Sequence, residues 1–370
     1  MSPAMGFNCG IVGLPNVGKS TLFNALLQQA QAEAANYPFC TIEPNVGRVA
    51  VPDKRLDALA EIVQPQNVLP THLEFVDIAG LVKGASKGEG LGNQFLGHIR
   101  AVDAIGFVLR CFEDDDITHV EGSVDPIRDA EIIETELVLA DLESLEKRVT
   151  NLEKRLRGQD KEAKALLPMV QKLIEHLGEG KPARLLLPDD ADERKLFHGL
   201  QLLTAKPILY IANVEEEAAA SGNAHSAKVQ EYAKSHHAPC IIISAAIEAE
   251  LSSLEDDEKT EFLADLGLEE SGLAKIIREG YDLLEQQTFF TAGPKEVRAW
   301  TVKKGATAPN AAGVIHTDFE RGFIRAEVTA YDDYVALKGE QGAKEAGKLR
   351  LEGKEYIMAD GDVVHFRFNV

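Results

Sequence analysis

Residues Gly13 to Ser20 read Gly-Leu-Pro-Asn-Val-Gly-Lys-Ser, the G-x-x-x-x-G-K-S spacing of a phosphate-binding loop. The chemistry needs these residue types in this order. Backbone N–H groups can wrap a phosphate only where side chains stay out of the way, so glycines stand at Gly13 and Gly18. Lys19 supplies a cation for the β and γ phosphates, and Ser20 supplies a hydroxyl for Mg²⁺. The helix that follows adds the positive end of its dipole. The candidate nucleotide-binding residues here are Asn16, Val17, Gly18, Lys19, Ser20 and Thr21, with Lys19 also a candidate catalytic group.

A second motif is His72-Leu-Glu-Phe-Val-Asp77-Ile-Ala-Gly80. An apolar strand ending in Asp, with Gly three residues on, sets a carboxylate in the Mg²⁺ shell and a backbone N–H near the γ-phosphate. Thr41 is the candidate loop threonine that reaches the same ion in the triphosphate state. Gly80 and Leu81 open a stretch containing Gly84, Gly88, Gly90 and Gly92, expected to reorder with the γ-phosphate as a switch does. Leu81 stands where Ras-like GTPases carry the glutamine that orients the attacking water, so hydrolysis is expected to be slow unaided or to draw on another group.

The base-recognition position reads Asn213-Val214-Glu215-Glu216, where guanine-specific relatives carry Asn-Lys-x-Asp. The Asp carboxylate of that pattern accepts two hydrogen bonds from guanine. Glu216 is one methylene longer and misplaces the acceptor, which disfavours guanine and leaves adenine nothing to lose. Asn213 is expected to bond the purine, with Ser244-Ala245 backing the base from the other side. Val214 lacks the lysine stem that lies along guanine.

These motifs need elements to carry them. Apolar runs at Phe7–Val12, Gly47–Val51, His72–Asp77, Ala104–Cys111, Pro207–Asn213 and Pro239–Ile243 read as strands separated mostly by helical patterns, which predicts a mainly parallel sheet covered on both faces. Asp77 and Asn213 are 136 positions apart, more than two βα units need. The surplus is explained by Val138, Leu142, Leu145, Val149, Leu152 and Leu156, a heptad seam, then a turn at Gly158 to Asp160, then Ala163, Leu167, Val170, Ile174 and Leu177 on a second helix. Pro168 is expected to kink that helix or force a new start. Past Tyr281 the chain turns β-like at Ala299–Val302, Gly313–His316, Phe323–Val328 and Val363–Phe368. The expected fold is therefore α/β: a Ras-like P-loop domain over 6–128 and 204–287, an antiparallel helical insertion over 129–203, and a small β domain over 288–370.

Of 370 residues, 60 are acidic and 39 basic, so the formal net charge of −21 opposes broad adhesion to nucleic acid, and DNA is not an expected partner. From Thr288 to Val370 there are 12 Lys and Arg and 12 Asp and Glu, so an RNA contact is more easily made by that end. No apolar run approaches the ~20 residues that span a bilayer, and no signal peptide is read, so a cytoplasmic protein without a membrane partner is expected. Residues 1–5 read as a short leader. Cys9, Cys40, Cys111 and Cys240 form no metal-type pair. Cys9, Cys111 and Cys240 read as core hydrophobes, and Cys40 is the one thiol to test for redox behaviour.

The stretches Gly10–Thr21, Asn36–Asn45, Phe75–Gly92, Cys111–Pro126, Asn213–Glu216 and Thr291–Val370 resemble the YchF or Obg-like ATPases, a branch of the translation-factor class of P-loop GTPases. The resemblance implies ATP preference, a coiled-coil insertion and a C-terminal TGS domain of β-grasp fold. It also implies association with the ribosome, the large subunit foremost, and a role in translation or stress responses. For the missing glutamine it implies His119, on a flexible loop, as a catalytic group. Asn16 occupies the position that in potassium-activated relatives helps hold K⁺ against the phosphates. A monomeric, slow, Mg²⁺-dependent ATPase acting as a switch is the leading expectation. Two others stay open: an ATP-gated binding protein that does not hydrolyse, kept alive by Leu81, and a conventional GTPase, opposed by Glu216.

Overall fold

The computed structural model describes residues 8–36, 45–78, 91–114, 117 and 119–369. The chain opens with β1 (Asn8–Val12), α1 (Lys19–Asn36), β2 (Val46–Ala50), α2 (Lys54–Val63), β3 (Asn67–Leu69), β4 (His72–Asp77), α3 (Leu91–Ala101) and β5 (Ala104–Arg110). Two long helices follow, α4 (Pro126–Arg157) and α5 (Lys161–Gly178), then α6 (Ala191–Gly199). The chain returns through β6 (Ile208–Asn213), α7 (Ala224–Ser235), β7 (Cys240–Ile243), α8 (Ala245–Leu251), α9 (Asp256–Asp265) and α10 (Gly272–Leu283). The C-terminal part holds β8 (Gln286–Ala292), β9 (Glu296–Lys303), α11 (Ala308–Ile315), α12 (Thr317–Arg321), β10 (Phe323–Thr329), α13 (Tyr331–Ala336), α14 (Glu340–Glu345), β11 (Arg350–Glu352) and β12 (Val363–Phe368).

The first sheet has the order β2-β4-β1-β5-β6-β7, parallel except for the β2–β4 pair at its edge. Its central strands read as almost unbroken apolar runs because helices cover both faces. Every residue of β5 and β6 is buried. Strands β1, β4 and β6 all point their C-terminal ends at one edge, so the Gly13 turn, Asp77 and Asn213 meet there, the usual place for a ligand in such a sheet.

Helix α4 starts under two local signals, the Asp125 carboxylate capping Arg128 N–H at 3.2 Å and Pro126 at its first turn. Its 32 residues extend about 48 Å at 1.5 Å per residue. Val138, Leu145 and Leu152 pack against Ala163, Val170 and Leu177, with Leu142, Val149, Leu167 and Ile174 partly buried beside them. The seam differs from expectation at two places. Leu156 is exposed because it sits at the tip, where no partner faces it, and Leu173 is fully buried. Helix α5 runs unbroken through Pro168, so the expected new start is absent. At the foot of the hairpin, buried Asp141 accepts from Leu203 N–H, Thr204 N–H and the Thr204 hydroxyl at 2.7–2.8 Å, which fastens the insertion to the return strand.

The second sheet has the order β11-β10-β12-β8-β9-β3, with α11 packed against it in a β-grasp arrangement around Phe289, Trp300, Phe323 and Phe366. Two details depart from the sequence reading. Gly313 to Ile315 end helix α11 rather than forming a strand; the turn begins with a Thr307–Asn310 capping box and Pro309, both helix-start signals. Strand β3, from the part of the chain assigned to the P-loop domain, pairs with β9. Helix α2 packs beside it, with Leu56 and Leu59 against Phe290, Val297 and Val363. The Arg55 guanidinium completes this junction by bridging Asp53 and Asp360.

Candidate functional site

A cavity of about 960 Å³ opens at the C-terminal edge of the first sheet, lined by residues 13–16 and 18–21, Asp77, residues 112–114 and 117, residues 213–217, and 244–246. Its two halves differ in charge. The phosphate half holds Lys19 and the start of α1. The base half holds Glu113, Asp114, Glu215, Glu216 and Glu217, a rim of acceptors suited to a base that offers N–H donors.

In the phosphate half, Gly18 adopts φ +90° and Asn16 φ +65°, which turn the loop's backbone back on itself before α1. A Cβ on Gly18 would lie 2.2 Å from Asn213 Nδ2, and one on Gly13 would lie 2.8 Å from Val17 Cγ2. The glycines therefore serve close approach as well as a positive φ. Lys19 Nζ is ion-paired with Asp77 Oδ1. Asp77 is fixed by its own N–H, which donates to Asn45 O at 2.9 Å, and by Ile78 N–H, which donates to Ile11 O at 3.1 Å. Ser20 and Thr21 are exposed at the start of α1 and line the cavity. Val17 does not line it: its side chain is buried and its carbonyl is spoken for by Asn213.

In the base half, one side chain ties the two ends of the cavity together. Asn213 donates from Nδ2 to Val17 O at 2.9 Å and accepts at Oδ1 from Ala245 N–H at 2.9 Å. Its amide is a strut joining the phosphate loop to the Ser244-Ala245 turn, and that strut uses one of the two Nδ2 hydrogens. Ser244 is buried and caps α8, accepting from Ile247 N–H. Val214 is buried along the cavity wall, and its N–H donates to Ile243 O at 2.8 Å. Both Glu215 and Glu216 line the cavity; Glu215 accepts from Asn223 Nδ2 at 2.9 and 3.1 Å, while Glu216 stands exposed at the rim.

A family model described as a 50S ribosome-binding GTPase matches residues 8–141, and one for the C-terminal part of YchF GTPases, described as a protein of unknown function, matches residues 286–369. A Haemophilus ducreyi protein named ribosome-binding ATPase YchF is 62% identical over 366 residues, spanning 99% of this chain and 100% of its own length. A Bacillus subtilis protein of the same name is 58% identical over 368 residues, also spanning 99% of this chain and 100% of its own. The chain belongs to the YchF family. A solved structure of the Schizosaccharomyces pombe YchF GTPase matches with a TM-score of 0.88 at 42% identity, covering 99% of each chain. The YchF architecture is thus shared from end to end, the helical hairpin and the C-terminal sheet included.

Against that YchF frame, the structure does not bring His119 into the pocket. His119 is buried away from the lining residues. Its Nδ1 accepts Glu121 N–H at 3.0 Å, so the ring hydrogen sits on Nε2 and donates to Asp129 Oδ2 at 2.7 Å. Asp129 is fully buried on the first turn of α4; burial raises its carboxyl above the ordinary range, opposed by the hydrogen bond from His119 and by the Arg128 charge. The histidine expected on a flexible loop as a catalytic group is held at both nitrogens in this structure, because α4 begins directly beneath it.

Thr41, Cys40, Gly80 and Leu81 lie outside the described residues. Among the described residues no cluster of three His, Cys, Asp or Glu could cage a metal. Ser20 and Asp77, two hard oxygen donors beside the phosphate loop, do fit a hard cation that also takes water and phosphate oxygens. Cys9, Cys111 and Cys240 are free thiols; burial pushes Cys9 and Cys240 up to about 12 and raises Cys111 too, so none is poised as a nucleophile. Sequence reasoning had not singled out Phe112, Asp114 or Ile117 as pocket lining, nor Arg110 behind them. The one signal available was a lone arginine closing an otherwise apolar strand.

Proposed function

We propose that the chain is an Mg²⁺-dependent P-loop nucleoside triphosphatase that prefers ATP and acts as a nucleotide-gated switch on the ribosome. The observation that carries this is the convergence, around one cavity, of the glycine turn, the Lys19–Asp77 pair and Glu216. Bound triphosphate would draw Lys19 onto the β and γ phosphates and free Asp77 for the shell of an Mg²⁺ ion held by Ser20. That ion would neutralise charge developing on the transferred phosphoryl group. Asn16, at the loop's left-handed position, is the residue proposed to help hold K⁺ beside the phosphates. The longer Glu216 side chain supports adenine over guanine, and the names of the relatives support both ATP hydrolysis and ribosome binding.

Turnover is expected to be slow. A direct part for His119 in hydrolysis requires it first to exchange its bonds to Asp129 and Glu121 for the pocket. The large subunit is the expected contact, with RNA touched through the near-neutral C-terminal domain; the chain is expected to act as a monomer in the cytoplasm. Among the described residues no helix is long and apolar enough to cross a membrane.

The deciding experiment is competition of ATP and GTP for one site, with Lys19→Ala as the control that abolishes both. ATP should displace a fluorescent analogue at lower concentration than GTP, and Glu216→Asp with Val214→Lys should reverse the order. Equal competition would remove the base preference, and no binding of either would remove the reading altogether. Single-turnover hydrolysis with and without ribosomes then separates an enzyme from a binding protein.

A further inference from the structure

Arg110 is the largest fully buried side chain in the molecule as described, 1% exposed, and it carries a charge into the core behind the base half of the cavity. It ends β5 beside Asn213, its register partner on β6. Its guanidinium is consumed by one loop. Nε donates to Phe112 O at 3.1 Å, Nη2 to Asp114 O at 3.2 Å and Nη1 to Ile117 O at 2.8 Å. The Phe112 ring lies against the same group, 4.6 Å from its centroid. Phe112, Asp114 and Ile117 all line the cavity, and all three present their carbonyls to the Arg110 cation. Phe112, Asp114 and Ile117 belong to no strand or helix, so their part-buried carbonyls need donors from elsewhere, apart from the Ile117 N–H that Asp114 O also accepts. The planar fork, with donors fixed in several directions, answers three carbonyls at once.

We propose that Arg110 is the positioning residue of the outer wall of the nucleotide pocket, setting affinity for the base while leaving the phosphate site untouched. The proposal rests on the reading of this cavity as a purine triphosphate site, and it goes beyond it by assigning the wall's shape to one side chain that touches no ligand. Lysine keeps the charge but presents a single ammonium on a flexible stem, which cannot span Phe112, Asp114 and Ile117 together.

The test compares two probes on the wild-type chain and on Arg110→Lys: MgATP, which uses both halves of the pocket, and Mg-tripolyphosphate, which uses the phosphate half alone. Arg110→Lys should weaken MgATP by about tenfold, the scale of one or two hydrogen bonds, and leave tripolyphosphate unchanged. Equal affinity of wild type and variant for MgATP overturns the proposal. Parallel loss of both probes does so too, since it assigns Arg110 to general stability. Failure of the wild type itself to bind MgATP sinks the functional reading instead. A second measurement needs no variant. In the wild-type chain the Arg110 guanidinium hydrogens should give separate, slowly exchanging proton–nitrogen resonances, as a group held on three carbonyls must. A single averaged signal would mean that the fork rotates freely and cannot set the wall.

Discussion

Residues 13–20 take their shape mainly from their own backbone, with one strut from the Asn213 side chain, whereas the described residues 112–114, 117 and 119 are held by side chains anchored elsewhere in the chain. In the phosphate half, Gly18 and Asn16 take left-handed conformations and the start of α1 supplies the donors, all within eight consecutive positions. In the outer wall, Arg110 lies at the end of a core strand, Asp129 on the first turn of the hairpin, and Asn223, which donates to Cys111 O at 2.6 Å, at the start of α7. The difference teaches where recognition can vary. A phosphate cradle is closed locally and changes little without failing, while a wall hung on three distant anchors can be reshaped from outside the pocket.

The comparison breaks most visibly at Gly18. In Gly18→Ala the new Cβ meets the Asn213 amide and the backbone is strained at φ +90°, so both halves suffer at once. Nucleotide titration should show a loss of about 3 kcal/mol, roughly a hundredfold in affinity. Asn213→Ala cuts the strut between the halves and strands Val17 O and Ala245 N–H in a buried site, at about 1–3 kcal/mol each. Its thermal midpoint should fall by several degrees, and nucleotide affinity should drop about tenfold. Chelating Mg²⁺ should weaken ATP binding in wild type and leave the thermal midpoint of the nucleotide-free chain where it was, because among the described residues no cluster of protein ligands could cage the ion.

Smaller effects belong to the hairpin, away from either half. Burial raises the Asp141 carboxyl, with the bonds from Thr204 and Leu203 and the Arg100 charge pulling it back. Its folded-state value therefore lies above the unfolded one, near 3.9 or so for an aspartate. The stability it contributes is full below that unfolded value and is lost as pH rises through the raised one. Urea midpoints should show the advantage of wild type over Asp141→Asn shrinking as the pH is raised from acid toward neutrality. Smallest in its effect on the pocket, Pro168→Ala restores an N–H to α5; it should stabilise the chain by about 1–3 kcal/mol and leave nucleotide affinity unchanged.

The phosphate loop, the strand ending in Asp77, the helical hairpin and the mainly parallel character of the first sheet were legible because each is written in near-neighbour terms: spacing, apolar period, a capping residue, a turn. Gly313 to Ile315 misled because a short apolar run fits strand or helix alike, and Thr307, Pro309 and Asn310 decided for helix from upstream. The placement of β3 in the C-terminal sheet could not be read at all, since a three-residue strand carries no period and its partner lies more than two hundred positions away.

The sequence by itself determined that a triphosphate cradle with a carboxylate opposite it exists, and that the base motif departs from guanine recognition at Glu216. Only the tertiary structure decided that Asn213 is a strut, that His119 is pinned by Asp129 and Glu121, and that Arg110 carries the wall. The reason is physical. Which partner satisfies a buried amide, imidazole or guanidinium depends on what packing brings within 3 Å or so, and hydrogen-bond satisfaction over long sequence separations leaves no local pattern behind.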